Sequence, residues 1–385
     1  MAWLMGPLLL VACVLAACTE GRGAADEDEP CVLSIYVYAP EHPQPTRADI
    51  GTVDAWSVEN EITTLQIWVF THSDGDGGGD LVGYLSTSEV ENLNTLGGET
   101  YQMVVDDDFV QNKPAVDVYV VANMATATTG ITLGETTTPA ELEAAKMEHR
   151  DGSSVDPFGL TTLVTSVPTA GLPMSGTLRN QPVYGSAPVL RIGTENQMAT
   201  ARLVRTVSKL RFVASRADQM DGTFQLLDIT LDGAKIPMQE FVFLTEDYTQ
   251  RNYRIGSTYE EDSKVLVNWN SDVRTNEDPI VYAYAQEKDG QEYEQLIDKG
   301  VQEEKLTQAG LFYLRETDRK LTGTIRYSVA DVEKSATFTM SDDGDFTRNH
   351  SWIVYAYYGA NNLNVNMVDV MDWRTTEVDH EVYNW

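Results

Sequence analysis

Residues 65–70 read Leu65-Gln66-Ile67-Trp68-Val69-Phe70. Successive side chains of an extended chain point to opposite faces, so Leu65, Ile67 and Val69 share one side. Trp68 and Phe70 make the other side apolar too, which predicts a strand buried on both faces. The same period of two recurs in Leu33-Ser34-Ile35-Tyr36-Val37 and in Val116, Val118 and Val120. Further strands are expected at 101–105, 203–214, 224–231, 265–269, 280–285, 311–314, 321–329, 336–340, 352–358 and 362–370. Turn sequences separate them: Asp74-Gly75-Asp76-Gly77-Gly78-Gly79, Asp232-Gly233, Asp289-Gly290 and Asp342-Asp343-Gly344. Only residues 139–149 carry a helical pattern, with Thr138 as N-cap and Pro139 in the first turn. Many strands beside one or two helices predict an all-β chain of stacked antiparallel sheets.

With 385 residues, 42% of them apolar, the chain is long enough for two domains. A boundary is expected where Gly193-Thr194-Glu195-Asn196 interrupts the strand pattern, giving domains over 48–195 and 196–385. The formal charge is −32, from 59 acids and 27 bases. Such a surface repels phosphate backbones and argues against a nucleic-acid partner.

The first 17 residues hold no charged side chain, and residues 6–15 form an apolar run too short to span a bilayer. Ala16-Ala17 stand directly before Cys18, an arrangement that resembles the bacterial lipobox, in which the Cys sulfur is acylated. Residues 1–17 are therefore expected to be a signal peptide, and Cys18 the site of a palmitate-type lipid anchor to the outer membrane. Residues 19–30 read as a solvated acidic tether. Cys13 would leave with the signal and Cys18 would take lipid. Cys31 then has no disulfide partner.

Six segments, taken in order, resemble the fimbrillins, the subunits of Bacteroidales-type pili. They are Ala16-Ala17-Cys18, Leu65 to Phe70, Val118-Tyr119-Val120-Val121-Ala122-Asn123, Gly171-Leu172-Pro173-Met174-Ser175-Gly176, Leu203 to Leu210, and Arg348-Asn349-His350-Ser351-Trp352. Ser208 departs from the family, whose members often have Ala before the Lys. The resemblance implies two tandem transthyretin-like β-sandwich domains and export as an outer-membrane lipoprotein. It also implies assembly by strand exchange into a cell-surface fimbrium with other fimbrial subunits. A trypsin-like, arginine-specific protease would remove the first strand, and another subunit's strand would refill the groove.

The residues can be read against that scheme. Leu33, Ile35 and Val37 suit the displaced first strand. Residues 39–49 contain three prolines and make an exposed, extended linker of the kind proteases cut. Arg47 is the only Lys or Arg between Arg22 and Lys113, so cleavage is expected at Arg47-Ala48, releasing residues 18–47. The other reading of Arg47 is an ordinary loop arginine. Val378, Val382, Tyr383 and Trp385 make 378–385 a candidate donor strand, the alternative being an edge strand of its own domain. From Arg374 to Trp385 the extended chain reaches about 40 Å.

Other signals point to no further chemistry. Asp74, Asp76 and Asp80 resemble part of a calcium loop, but Leu85 stands where the closing Glu is needed. The five histidines show no ligand spacing, no hydrolase or phosphate-binding motif appears, and no carboxylate pair stands out. No metal, cofactor or catalytic residue is expected. Tyr282, Tyr284, Trp352, Tyr355, Tyr357 and Tyr358 alternate within strands, which favours core packing over sugar stacking. Two functional readings stand: a fimbrial subunit serving adhesion, as stalk, tip or anchor, and a monomeric surface lipoprotein that binds glycans.

Overall fold

Period-two side chains build two pairs of sheets, each pair closing over an apolar layer. The computed structural model describes residues 30–39, 60–74, 78–124, 132–148, 171–217, 224–232, 239–243, 264–272, 275–276, 307–314, 316–317, 319–339, 348–359 and 362–372. Cys18, Arg47, Ala48, the expected strand at 280–285 and the segment 378–385 lie outside the described residues.

The first unit contains β1 Val32–Tyr38, β2 Leu65–Thr71, β3 Leu81–Thr87, β4 Gly98–Val104, β5 Val116–Ala122, β6 Lys146–Glu148, β7 Met174–Gln181, β8 Val183–Ser186, β9 Val189–Ile192, β10 Thr200–Arg202 and β11 Val204–Arg205. One sheet runs β10-β1-β9-β8, with β4 on the other side of β1; the second runs β11-β7-β5-β2-β3. Leu33, Ile35 and Val37 face Leu65, Ile67, Val69, Val116, Val118 and Val120 across the core. As the sequence predicts, β2 is buried on both faces. Trp68 and Phe70 join Tyr119 and Val121 in a second apolar layer, covered by Leu133, Leu142, Met147, Val242 and Phe243.

The second unit contains β12 Ser208–Ala217, β13 Phe224–Asp232, β14 Gln239–Phe241, β15 Lys264–Asp272, β16 Thr275–Asn276, β17 Thr307–Leu314, β18 Thr322–Val329, β19 Val332–Thr339, β20 His350–Gly359 and β21 Asn362–Asp372. Its sheets run β16-β12-β20-β21, with β17 also on β12, and β15-β13-β18-β19. Phe224 of the latter stacks on Tyr358 of the former at 4.9 Å, and Tyr327 packs tilted against the same ring at 5.7 Å.

Two sequence expectations need correction, and the structure adds detail to two others. The sheets are mixed, because β1 and β12 each take parallel as well as antiparallel neighbours. The helix expected at 139–149 spans only Pro139–Ala144, with Thr138 and Glu141 forming a capping box. It ends there because β6 pairs with β14 of the second unit and Ala145 and Met147 turn into the outer core. The strand expected at 203–214 is broken: Leu203 donates to Tyr38 O and Thr206 to Pro173 O as the chain crosses between sheets. The first unit's strands run through Arg205, so the change of sheets falls after it. Two further short helices, Glu91–Leu96 and Asp107–Asn112, lack a long apolar period; Asp106 caps the latter by accepting from Phe109 N at 2.7 Å.

Buried polar groups hold the second unit together and tie it to the first. Arg348 pairs with Glu316 at 2.5 Å, both 1% exposed, and donates to Val242 O at 3.1 Å and Phe241 O at 2.8 Å. Arg205 donates to Asn349 Oδ1 at 2.9 Å, and Ser175 to Val242 O at 2.6 Å.

Candidate functional site

The strand β1 sits in the middle of its sheet. Along one side it pairs antiparallel with the whole of β4, from Val32 opposite Val104 to Tyr38 opposite Gly98. Its other side is shared. Val32 to Ser34 run parallel to β9, and Tyr36 to Tyr38 run parallel to β10. The flanking backbone continues these ladders, with Val105 donating to Cys31 O at 3.0 Å and Val32 to Pro188 O at 2.9 Å. Among the described residues, β4 and β10 have no other sheet partner than β1, and β9 keeps only β8. Withdrawing β1 would split this sheet into three pieces and leave backbone donors and acceptors open along each.

The inward side chains explain how firmly β1 is held. Leu33, Ile35 and Val37 are 0% exposed, and Cys31 and Ala39 extend the row at 9% and 4%. Tyr101 and Met103 of β4, Leu190 and Ile192 of β9, and Ala201 of β10 line the slot, and the facing sheet closes it. Every residue of this cluster is apolar or turns its polar atom away: the Tyr101 hydroxyl donates to Glu99 at 2.9 Å. Burial, and then that bond, push the hydroxyl above its ordinary pKa. Burying each of Leu33, Ile35 and Val37 contributes about 1.5–3 kcal/mol, so together they rival a domain's whole net stability. On the outward face the Tyr36 ring lies over Gly98, where an added Cβ would come within 2.1 Å of its hydroxyl. No larger residue fits there without moving that ring.

Of the residues singled out in the sequence, Leu33, Ile35 and Val37 come together in one slot. Cys31 and Ala39 belong beside them, and only their odd numbering in the alternation could have shown it. The short β9 and β10 gave no periodic signal of their own. Asp74, Gly78, Gly79 and Asp80 fall in the connection between the paired strands β2 and β3. Asn123, at φ 60°, is a clamp at the far end of the second sheet. It accepts from Thr63 N and donates to Glu61 O and Leu172 O, each at 2.8 Å. Gly171 keeps that space open, because a Cβ there would lie 2.3 Å from Asn123 Nδ2.

No family model matches the chain. No curated protein matches it. Among solved structures it is similar to a Parabacteroides distasonis protein assigned to cell adhesion, with 12% identity over 88% of this chain and 97% of the other and a TM-score of 0.49. It is also similar to a fimbrial assembly protein of the same organism (11% identity, 89% and 96% covered, TM-score 0.46). A third is the C-terminally truncated tip fimbrial protein Mfa3 of Porphyromonas gingivalis (12%, 88% and 99%, TM-score 0.45).

Proposed function

We propose that the chain is a structural subunit of a cell-surface fimbrium that serves adhesion, and that β1 is the strand it surrenders on assembly. The observation that carries this reading is the position of β1: fully seated, central in its sheet, and followed by a proline-rich linker with one arginine. An export signal and lipidation at Cys18 would deliver the precursor to the outer membrane. A trypsin-like, arginine-specific protease then cuts Arg47-Ala48 and residues 18–47 depart. The vacated slot offers backbone pairing for affinity and a row of apolar holes for register to a strand of another subunit. The segment 378–385, with Val378, Val382, Tyr383 and Trp385, is a strand this chain can donate in turn. A chain that keeps β1 has no slot to fill and would stand as the membrane-retained anchor.

Purified chain lacking residues 1–18 and treated with an arginine-specific protease should acquire Ala48 as its new N-terminus and form oligomers on size exclusion. Material cut at Arg47 that loses β1 and stays monomeric while capturing polysaccharide would favour the glycan-binding reading instead.

A further inference from the structure

This inference rests on the strand-acceptor reading and concerns which strand the slot takes. Five successive inward positions, held by Cys31, Leu33, Ile35, Val37 and Ala39, are enclosed. Because strand side chains alternate, a replacement must carry apolar groups on every second residue without a break. The lining residues Tyr101, Met103, Leu190, Ile192 and Ala201 offer no hydrogen-bond partner to a polar intruder. A strand replacing β1 in kind must run antiparallel to β4 and parallel to β9 and β10.

The segment 378–385 of a second copy does not meet these demands. Its even-numbered residues are Val378, His380, Val382 and Asn384, and its odd-numbered ones are Asp379, Glu381, Tyr383 and Trp385. Turning both valines inward carries His380 into the core between them. Turning Tyr383 and Trp385 inward sets Glu381 beside them and forces two large rings into holes shaped by aliphatic side chains. Neither set supplies three consecutive apolar positions, whatever the register or direction.

We infer that the β1 slot is filled by a strand of a different polypeptide, one with an unbroken alternation of medium-sized aliphatic side chains, and not by 378–385 of another copy. The chain is then a link between unlike subunits, and 378–385 serves a different acceptor.

The test uses the chain nicked by an arginine-specific protease and three labelled peptides: residues 30–39, residues 374–385, and residues 374–385 with His380→Val and Asn384→Val. Exchange into the nicked protein is followed by fluorescence anisotropy. The peptide 30–39 should bind, and 374–385 should bind at least about a hundred-fold more weakly. The doubly substituted peptide, with four apolar residues in a row on one face, should recover much of the difference. Binding of unmodified 374–385 within about ten-fold of 30–39 would overturn the inference and leave the acceptor reading intact. Failure of all three peptides to exchange would overturn the acceptor reading and this inference with it.

Discussion

The strands β1 and β12 occupy comparable central places in their respective units, although β9 and β10 share one side of β1 while β20 and β16 flank β12 on opposite sides. Each lies inside a five-stranded sheet, antiparallel to one neighbour (β4 or β17) and parallel to two others (β9 and β10, or β20 and β16). Their covalent situations differ. Residues 39–64 separate β1 from β2, and no described element precedes β1, so one cut within that stretch severs its covalent tie to β2. By contrast, β12 follows β11 after two residues and leads into β13 through residues 218–223. No single cut releases it. The neighbours differ as well. The entry to β20, beside β12, is pinned by the buried Arg348–Glu316 pair, whereas β9, beside β1, follows Ala187-Pro188 with no such pair among the described residues. On the proposed reading, a strand's release is set by how the chain enters and exits it, not by its place in the sheet.

The largest effect should come from removing β1 outright. Deleting residues 1–47 should destabilise the first unit by roughly 4–9 kcal/mol, from three lost core side chains, and scanning calorimetry should show its transition lowered or absent. An engineered cut within 218–223 should leave β12 in place and the second unit's transition nearly unmoved. Next, Arg348→Ala should cost about 3–5 kcal/mol in urea unfolding, because it strands a buried Glu316 carboxylate. Ile35→Ala and Leu210→Ala each empty a fully buried site in the equivalent strands and should each cost about 2–5 kcal/mol. Only Ile35→Ala should also hasten loss of the N-terminal peptide after cleavage.

Asn123→Ala, remote from both strands, should cost about 1–3 kcal/mol through unpaired backbone groups. The smallest effect is expected at His72, also in the first unit and away from β1. Its hydrogen bond to Asp117, 2.9 Å long, raises the imidazole above its ordinary 6.5 against the opposing effect of burial. A raised folded pKa means the stabilisation is fully present below the ordinary 6.5 and is lost as pH rises from there through the raised folded pKa. An NMR titration of His72 gives its position, and His72→Gln should flatten that part of the stability profile.

Much of this comparison was legible in the sequence. Alternation located β1, β2, β5 and most of the second unit's long strands, and it showed that β2 must be covered twice. The cover itself was not legible. Val242 and Phe243 sit in a three-residue strand's wake, far along the chain from Trp68 and Tyr119, and no local period links them. The helix expected at 139–149 stops short at Ala144 for the same reason, since the residues after it are captured by β14 from nearly a hundred residues away. Parallel pairing of β1 escaped too, because β9 and β10 are too short to show a period. The row Leu33, Ile35, Val37 was evident from parity; the sheet's dependence on it was a matter of topology.

Hydrogen exchange on the intact and the arginine-cleaved chain tests the central claim most directly. Once residues 18–47 have left, the amides of β4, β9 and β10 should lose protection, those of β12, β17 and β20 should keep theirs, and protection should return when a complementary strand is added. Departure of the peptide with β4, β9 and β10 still fully protected would contradict the account.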